Sequence, residues 1–443
     1  MTSELIVIKE KEGNFQSLFS ASVELENAPE LLKKMRKKAW EQFLEIGLPG
    51  PRHESFEYMR LKPLFATEFV KAKNQGKNIS KETIATAVLE ECRQSHLVFI
   101  NGYFHPELSD TSALDPSIVI APLEKAMKTY GTLIQNRFTK ALKDEKDIFC
   151  ALNAACHTDG LFVYVPPKLV VSTPLQIIHM IEEENSWMMP RMHVFQGAFS
   201  ELTLVQTVSW QTQGKYLYNQ TTEFVIEEQA TTKFIQNALS SSSEKTAGYI
   251  FDDLRVEMKR HSNFHAYQLT DGYATLRRDS KVQLAGEGGD VHLNGVWLLD
   301  DEKEAHINIV IEHQEPHTQS LQLYKGVLTD TAKSSFQGKI LVRKKAQKTQ
   351  AYQLNNNLLL SDQAQANSKP NLEIFADDVK ASHGATMGQL DPEEMFYLKT
   401  RGFSEKDARR ILIAGFCQEV VDKIPVPSLR KAASLRIQKF VSQ

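Results

Sequence analysis

Residues 305–313 read AHINIVIEH. Ala305, Ile307, Ile309 and Ile311 take every second position, and successive side chains of a strand point to opposite faces, so the segment reads as a strand with one buried face. Segments of the same kind lie on both sides. Upstream are LFVYVPPKLVV from residue 161, ELTLVQTVSW from 201, TTEFVIEEQA from 221, TTKFIQNALS from 231 and GDVHLNGVWLL from 289. Downstream are SLQLYKGVL from 320, GKILVRKKA from 338 and NLEIFADDV from 371. Polar or glycine-bearing links separate them, and no ten-residue helical pattern intervenes, which argues against a doubly wound parallel sheet. More than 200 residues of short strands fit a large sandwich, a propeller or a β-solenoid. No repeat of fixed length stands out to choose among these. QLNNNLLLS, residues 353–361, points toward the solenoid: its asparagines tolerate a sharp corner and its leucines suit a stacked interior.

Outside this body the pattern turns helical. In NAPELLKKMRKKAWEQFLEIGLPG, Pro29 stands near a helix start, Leu31, Leu32, Met35, Ala39, Phe43 and Ile46 recur at helical spacing, and Gly47, Pro49 and Gly50 end the run. A second helix is expected in KETIATAVLEECRQ, and residues 117–158 read mainly as helix and loop. Beyond residue 391, Asp391 caps a helix with Pro392 in its first position and Glu393 and Glu394 in its first turn. Gly402 closes it. Ser404 caps the next helix, with Asp407 as a capping-box partner; Ala408, Ile411, Leu412, Phe416 and Val420 are expected to share its buried face, and Pro425 and Pro427 to end it.

A chain of 443 residues is too long for one ordinary core, so two or three domains are expected. With 42% hydrophobic and 24% charged residues and a net charge of −3, composition indicates a globular chain and gives no sign of nucleic-acid or anionic-membrane binding. No run of eighteen apolar residues indicates a membrane span, and MTSELIVIKEKEGNFQ lacks the apolar region of a secretory signal. Cys92, Cys150, Cys156 and Cys417 form neither CxxC nor a disulfide framework, which fits a reducing, cytoplasmic setting.

The candidate chemistry is sparse. Asp377 and Asp378 are adjacent, so strand alternation sends them to opposite faces and they cannot flank one bond. If that strand continues, Asp377, Val379, Ala381 and His383 share a face, while Ser382 points away from His383, which disfavours a Ser-His nucleophile pair. His313 and His317 have metal-pair spacing only on a helix, and Pro316 with a strand-like approach favours a turn instead. Cys156-His157 reads as structural. AGEGGDVHLNG, residues 285–295, lacks the glycine spacing of a dinucleotide fingerprint and leads into a strand, so its glycines are expected to make turns. No phosphate-binding loop and no nucleophile elbow occurs.

PNLEIFADDVKASHGATMGQLDPEEMFYLKTRGFSEKDARRILIAGFCQEVV, with the upstream block YKGVLTDTAKSSFQGKILVRKKAQKTQAYQLNNNLLLS, resembles the SufB/SufD family of SUF iron–sulfur cluster assembly scaffolds, on its SufD side. PRHESFEYMRLKPL resembles it more loosely. The resemblance is most specific over residues 315–422. It implies a mainly β chain whose core is a right-handed parallel β-helix, residues 159–388, between helical domains at residues 1–158 and 389–443. It also implies a non-enzymatic scaffold that pairs with a SufB homologue through the β-helix edge and binds the ABC-type ATPase SufC through its C-terminal helices. No cofactor is then held stably; a transient iron–sulfur cluster would form at the SufB interface. His383 matches the family histidine at that interface and becomes the candidate ligand or proton carrier. Ala381 stands where family members usually carry a cysteine, which removes a thiolate from this position. Phe396, Tyr397, Arg401 and Phe403 become the candidate ATPase-docking residues. A homodimer through edge strands near residues 370–383 is a further expectation. The alternative from a different class is a stand-alone β-helical enzyme acting on a polysaccharide.

Overall fold

The computed structural model describes residues 29–442 except 51–52, 75, 77–78, 144 and 240–246, together with Phe15, Phe19 and Ser20. The expectations placed on residues 1–14 and on Pro51 lie outside these. The chain is mainly β, a parallel solenoid of about 7 turns over residues 160–388, with helices before and after it. Its parallel crossovers take the usual right hand.

Two sheets face each other. The first runs from Gly160–Val165 through Arg191–Gln196, Tyr216–Ile226, Tyr249–Met258, Thr275–Leu284, Glu304–His313 and Lys333–Val342 to Gln365–Ile374. The second runs from Leu175–Ile181 through Glu201–Trp210, Thr231–Ala238, Asn263–Thr270, Asp290–Leu299, Gln319–Leu328 and Gln350–Leu359 to Lys380–Gly388. The alternation read at Ala305, Ile307, Ile309 and Ile311 is the inward face of one rung, packed with Leu254, Val282, Leu293 and Leu299.

The repeat that the sequence did not display is present but uneven. Thr231 is in register with Asn263, then Asp290, Gln319, Gln350 and Lys380, so successive rungs are 32, 27, 29, 31 and 30 residues apart. One corner is built the same way each time, by a residue with positive φ: Lys168, Phe199, Gln229, His261, Gly288, His317 and Lys348. The amide of each donates to a carbonyl of the next rung, as from His261 to Glu287 (2.7 Å) and His317 to Gln347 (2.9 Å). The asparagine run is a correction. Asn355, Asn356 and Asn357 lie inside strand Gln350–Leu359, and Asn355 and Asn357 are buried rather than at a corner.

The N-terminal helices cover the outer face of the first sheet. Helix Glu30–Ile46 buries Leu32, Met35, Ala39, Trp40 and Phe43, close to the expected face. Helix Ile148–Cys156 is buried throughout and stacks Phe149 on Phe251. Charges bind this head to the sheet. Arg255 pairs with Glu145 (2.7 Å) and Asp279 (2.9 Å), Arg277 with Asp147 (2.9 Å), and Arg137 with Glu257 (2.6 Å), all buried. The head is not purely helical: His96–Ile100 pairs parallel with Leu175–Ile181, and Val119–Pro122 antiparallel with Gly160–Val165.

The tail covers part of the second sheet. Asp391 and Ser404 cap helices Pro392–Thr400 and Glu405–Val421 as expected. Pro427 does not end a helix but opens another, Pro427–Ser442. The buried face of Glu405–Val421 is Ala408, Ile413, Cys417, Val420 and Val421, set against Val296, Leu298, Leu323 and Val327. Ile411, expected inside, is 42% exposed.

Candidate functional site

At the C-terminal end of the solenoid the last rung has no successor. Strands Gln365–Ile374 and Lys380–Gly388 each pair on one side only among the described residues. In a parallel ladder, alternate residues turn their N–H and C=O toward opposite neighbours. The Lys380 amide donates to the Thr349 carbonyl (2.9 Å), so Ala381, His383, Ala385 and Met387 direct their backbone groups to the free edge. On the companion strand the Gln365 amide donates to Ala332 (3.0 Å), which leaves Ala366, Ser368, Pro370, Leu372 and Ile374 facing outward. Pro370 has no N–H, so that edge is interrupted where the other is continuous.

The side chains of the same residues line the inner face. His383 is in register with Gln353, Gln322 and Leu293, a column whose earlier members are buried. His383 itself is exposed because no rung covers it. Ala381 belongs to the same face, in register with Ala351, and Ser382 to the opposite one, in register with Tyr352. The expected sharing of a face by positions 381 and 383 therefore stands, and the two are not brought near Asp377. That residue and Asp378 lie at the corner between strands. Both are exposed, the Asp378 carbonyl accepts from the Lys348 amide (2.6 Å), and its carboxylate pairs with Lys348.

The interior carries polar columns that run the length of the solenoid to this end, a feature that sequence reasoning missed. Gln206, Gln236 and Gln268 occupy one column with Gly295, Tyr324, Asn355 and Ala385. Gln268 donates to Gln236 (2.7 Å), and the Tyr324 hydroxyl passes over Gly295 to donate to Gln268 (2.9 Å). A Cβ on Gly295 would meet the Tyr324 ring at 2.4 Å, which is the reason for glycine here. Gln353 donates to Gln322 (3.0 Å) and Asn357 to Asn355 (3.0 Å). Gln353 Oε1, Asn357 Oδ1 and Ser368 Oγ are buried without a partner. In sequence these residues look like solvated strand positions; the signal was their spacing of roughly one rung, hidden by the variable corners.

Beside the open end stands helix Pro392–Thr400, which buries none of its residues. Phe396 is 69% exposed, Tyr397 57% and Phe403 44%, and the Arg401 guanidinium lies 5.1 Å from the centre of the Tyr397 ring. Such exposed aromatic surface is uncommon on a chain that works alone. A groove of about 480 Å³ runs beneath the helix, lined by Leu359, Leu390, Met395, Phe396, Lys399 and Arg409.

The other singled-out groups are structural. His313 is buried, bonded to Thr318 (2.8 Å) and Ser320 (2.9 Å), and burial pushes its imidazole down to about 3. His317 sits at a corner with φ 58°. His157 is buried at the end of helix Ile148–Cys156. All four cysteines are buried, which raises the Cys92 and Cys417 thiols to about 12 and the Cys150 thiol well above its usual range. Cys92, Cys150 and Cys417 are therefore not poised as thiolates. Among the described residues no helix is long and apolar enough to cross a membrane.

Comparison with known proteins identifies the fold's kin. The profile described as SUF system FeS cluster assembly, SufBD core domain, matches residues 179–416, more than half of the chain. The chain belongs to the SufBD family. The SufBD N-terminal region profile matches residues 9–177. An iron–sulfur cluster assembly SufBD family protein of Synechocystis is 30% identical over 414 residues, 90% of this chain and 89% of that protein. The iron–sulfur cluster assembly protein SufD of Escherichia coli is 27% identical over 90% of each chain, and the chloroplastic protein ABCI7 of Arabidopsis thaliana 26% identical over 91% of this chain and 84% of its own length. SufBD membership supports a role in iron–sulfur cluster assembly.

Proposed function

We propose that the chain is a non-catalytic scaffold subunit of a cytoplasmic SUF assembly complex. It pairs with a SufB homologue through the free edges of Gln365–Ile374 and Lys380–Gly388, and it receives the SufC ATPase on Pro392–Thr400 and the adjoining Phe403. The observation that carries this reading is the uncovered last rung. An edge of unpaired backbone groups beside exposed apolar side chains is a template for another strand. A homologous solenoid would extend both sheets and the interior. His383 then lies at the junction, where its imidazole can bind a metal or carry a proton for cargo in transit. The iron–sulfur cluster is cargo, not a resident group, and with Ala381 in place this chain brings no thiolate to that position.

The ATPase contact rests on Phe396, Tyr397, Arg401 and Phe403. Aromatic residues and arginine are the side chains most often dominant in protein interfaces. The test is co-purification: the tagged chain is isolated gently from its own cells, and what accompanies it is identified by mass spectrometry. A stoichiometric homologous β-rich subunit and an ABC-type ATPase are expected. A chain that emerges alone or only as its own dimer at every salt concentration overturns the proposal.

A further inference from the structure

The tail helices cover the second sheet only along part of its outer face, over Leu269, Val296, Leu298 and Val327. Nearer the strand starts the face opens to solvent. There His265, Asp290 and His292 come together, with side chains 26%, 27% and 37% exposed. Asp290 and His292 are two apart on one strand and so share a face, and His265 lies directly across from His292 on the neighbouring strand. The imidazole rings stack with centres 4.6 Å apart. Nε2 of His265 is 3.4 Å from one Asp290 oxygen, and Nε2 of His292 is 3.3 Å from the other. One ligand atom from each residue lies within 4.8 Å of the other two.

We propose that His265, Asp290 and His292 form a binding site for a divalent first-row transition metal ion such as Fe²⁺, Co²⁺ or Zn²⁺. Two imidazoles and one carboxylate are the donor set that suits these ions and leaves coordination positions open. The edge of a tetrahedron with metal–ligand bonds of about 2.1 Å is about 3.4 Å, so the observed nitrogen–oxygen separations need little adjustment. A carboxylate between two stacked imidazoles is otherwise a weakly sheltered group on a solvated face. The next rungs leave room: Lys233 is in register with His265 on one side, and Gln319 and Leu321 with Asp290 and His292 on the other. Lys233 is the nearest in-register cation, and its long side chain can turn to solvent. The site lies three rungs before the free edge, about 14 Å at roughly 4.8 Å per rung. It is thus separate from His383 and does not depend on the partner proposal.

The full-length chain, stripped of metal with a chelator, is titrated with Co²⁺ and followed by its visible d–d absorption. One Co²⁺ per chain is expected. Loss of even an outer-shell partner typically weakens a metal site 10- to 100-fold, so His292→Ala and Asp290→Asn should each weaken binding by about tenfold or more. Thermal unfolding of both variants should stay close to wild type, since both positions are partly exposed, and the corner variant His317→Asn should bind Co²⁺ as the wild type does. Absence of stoichiometric uptake overturns the proposal. So does wild-type binding by both variants, or loss of binding in His317→Asn alone.

Discussion

At its N-terminal end the solenoid is closed. Val119–Pro122 lies antiparallel along Gly160–Val165, His96–Ile100 and then Tyr103–Phe104 complete the other sheet, and the head helices cover the outer face of the first. At its C-terminal end the same two sheets stop at Gln365–Ile374 and Lys380–Gly388, and the inner column ends on an exposed His383. Corner construction does not distinguish the two ends: Lys168 near one and Lys348 near the other hold the same positive φ. What differs is whether the chain spends residues on a lid. A β-solenoid without one exposes strand edges and the cross-section of its core, so an uncovered end is costly unless something docks there.

The sheet face that the head covers should be the more sensitive to single changes. Arg255→Ala would leave Glu145 buried without its cation and Asp279 with Arg277 alone, and breaking a buried pair in this way costs about 3–5 kcal/mol. Urea unfolding measures the loss; a cost below 1 kcal/mol would show that the head is not held by this network. At the open end, parity gives a sharper contrast. Thr386 bonds its backbone inward to strand Gln350–Leu359, whereas Ala385 faces the free edge. Thr386→Pro removes a ladder hydrogen bond and should therefore lower stability clearly more than Ala385→Pro, which removes none. Equal costs in denaturant would refute the assignment of edges.

A third prediction concerns pH. His313 is held neutral by burial, with its imidazole lowered from the ordinary 6.5 to about 3. The unfolded chain takes up a proton near 6.5 that the folded chain refuses, so this contribution is complete above 6.5 and is lost as pH falls toward 3. His313→Gln should flatten the fall of stability across that window. An unchanged slope would mean that other groups, such as the buried His179 and His193, set it. The smallest effect expected is at Asp391, whose side chain accepts from the Glu393 amide (2.8 Å). Asp391→Ala should loosen helix Pro392–Thr400 by about 1 kcal/mol, visible in amide exchange of that helix and not in global unfolding.

The contrast between the ends also marks what could be read from sequence. Alternation at Ala305–Ile311 and the caps at Asp391 and Ser404 were legible because they are local. The shared face of Ala381 and His383 was legible for the same reason. The period was not, because rungs vary in length and their corners use Lys168, Phe199, Gln229 and Lys348, residue types that rarely signal positive φ. Asn355–Asn357 misled because asparagine usually marks turns, whereas here the inner face is polar. Ile411 was placed inside because apolar spacing alone cannot tell a helix face that meets the sheet from one that faces solvent. The grouping of His265 with Asp290 and His292 needs the register itself, since 25 residues separate the first two.

The central claim is that the free edge at Ala381–Met387 is where a homologous subunit joins. Wild type and Ala385→Pro should be tagged in the same cells and their complexes compared by native mass spectrometry. The account predicts that wild type carries both the homologous β-rich subunit and the ATPase, and that the proline variant keeps the ATPase and loses the homologue. Retention of the homologue by a folded Ala385→Pro chain would contradict it.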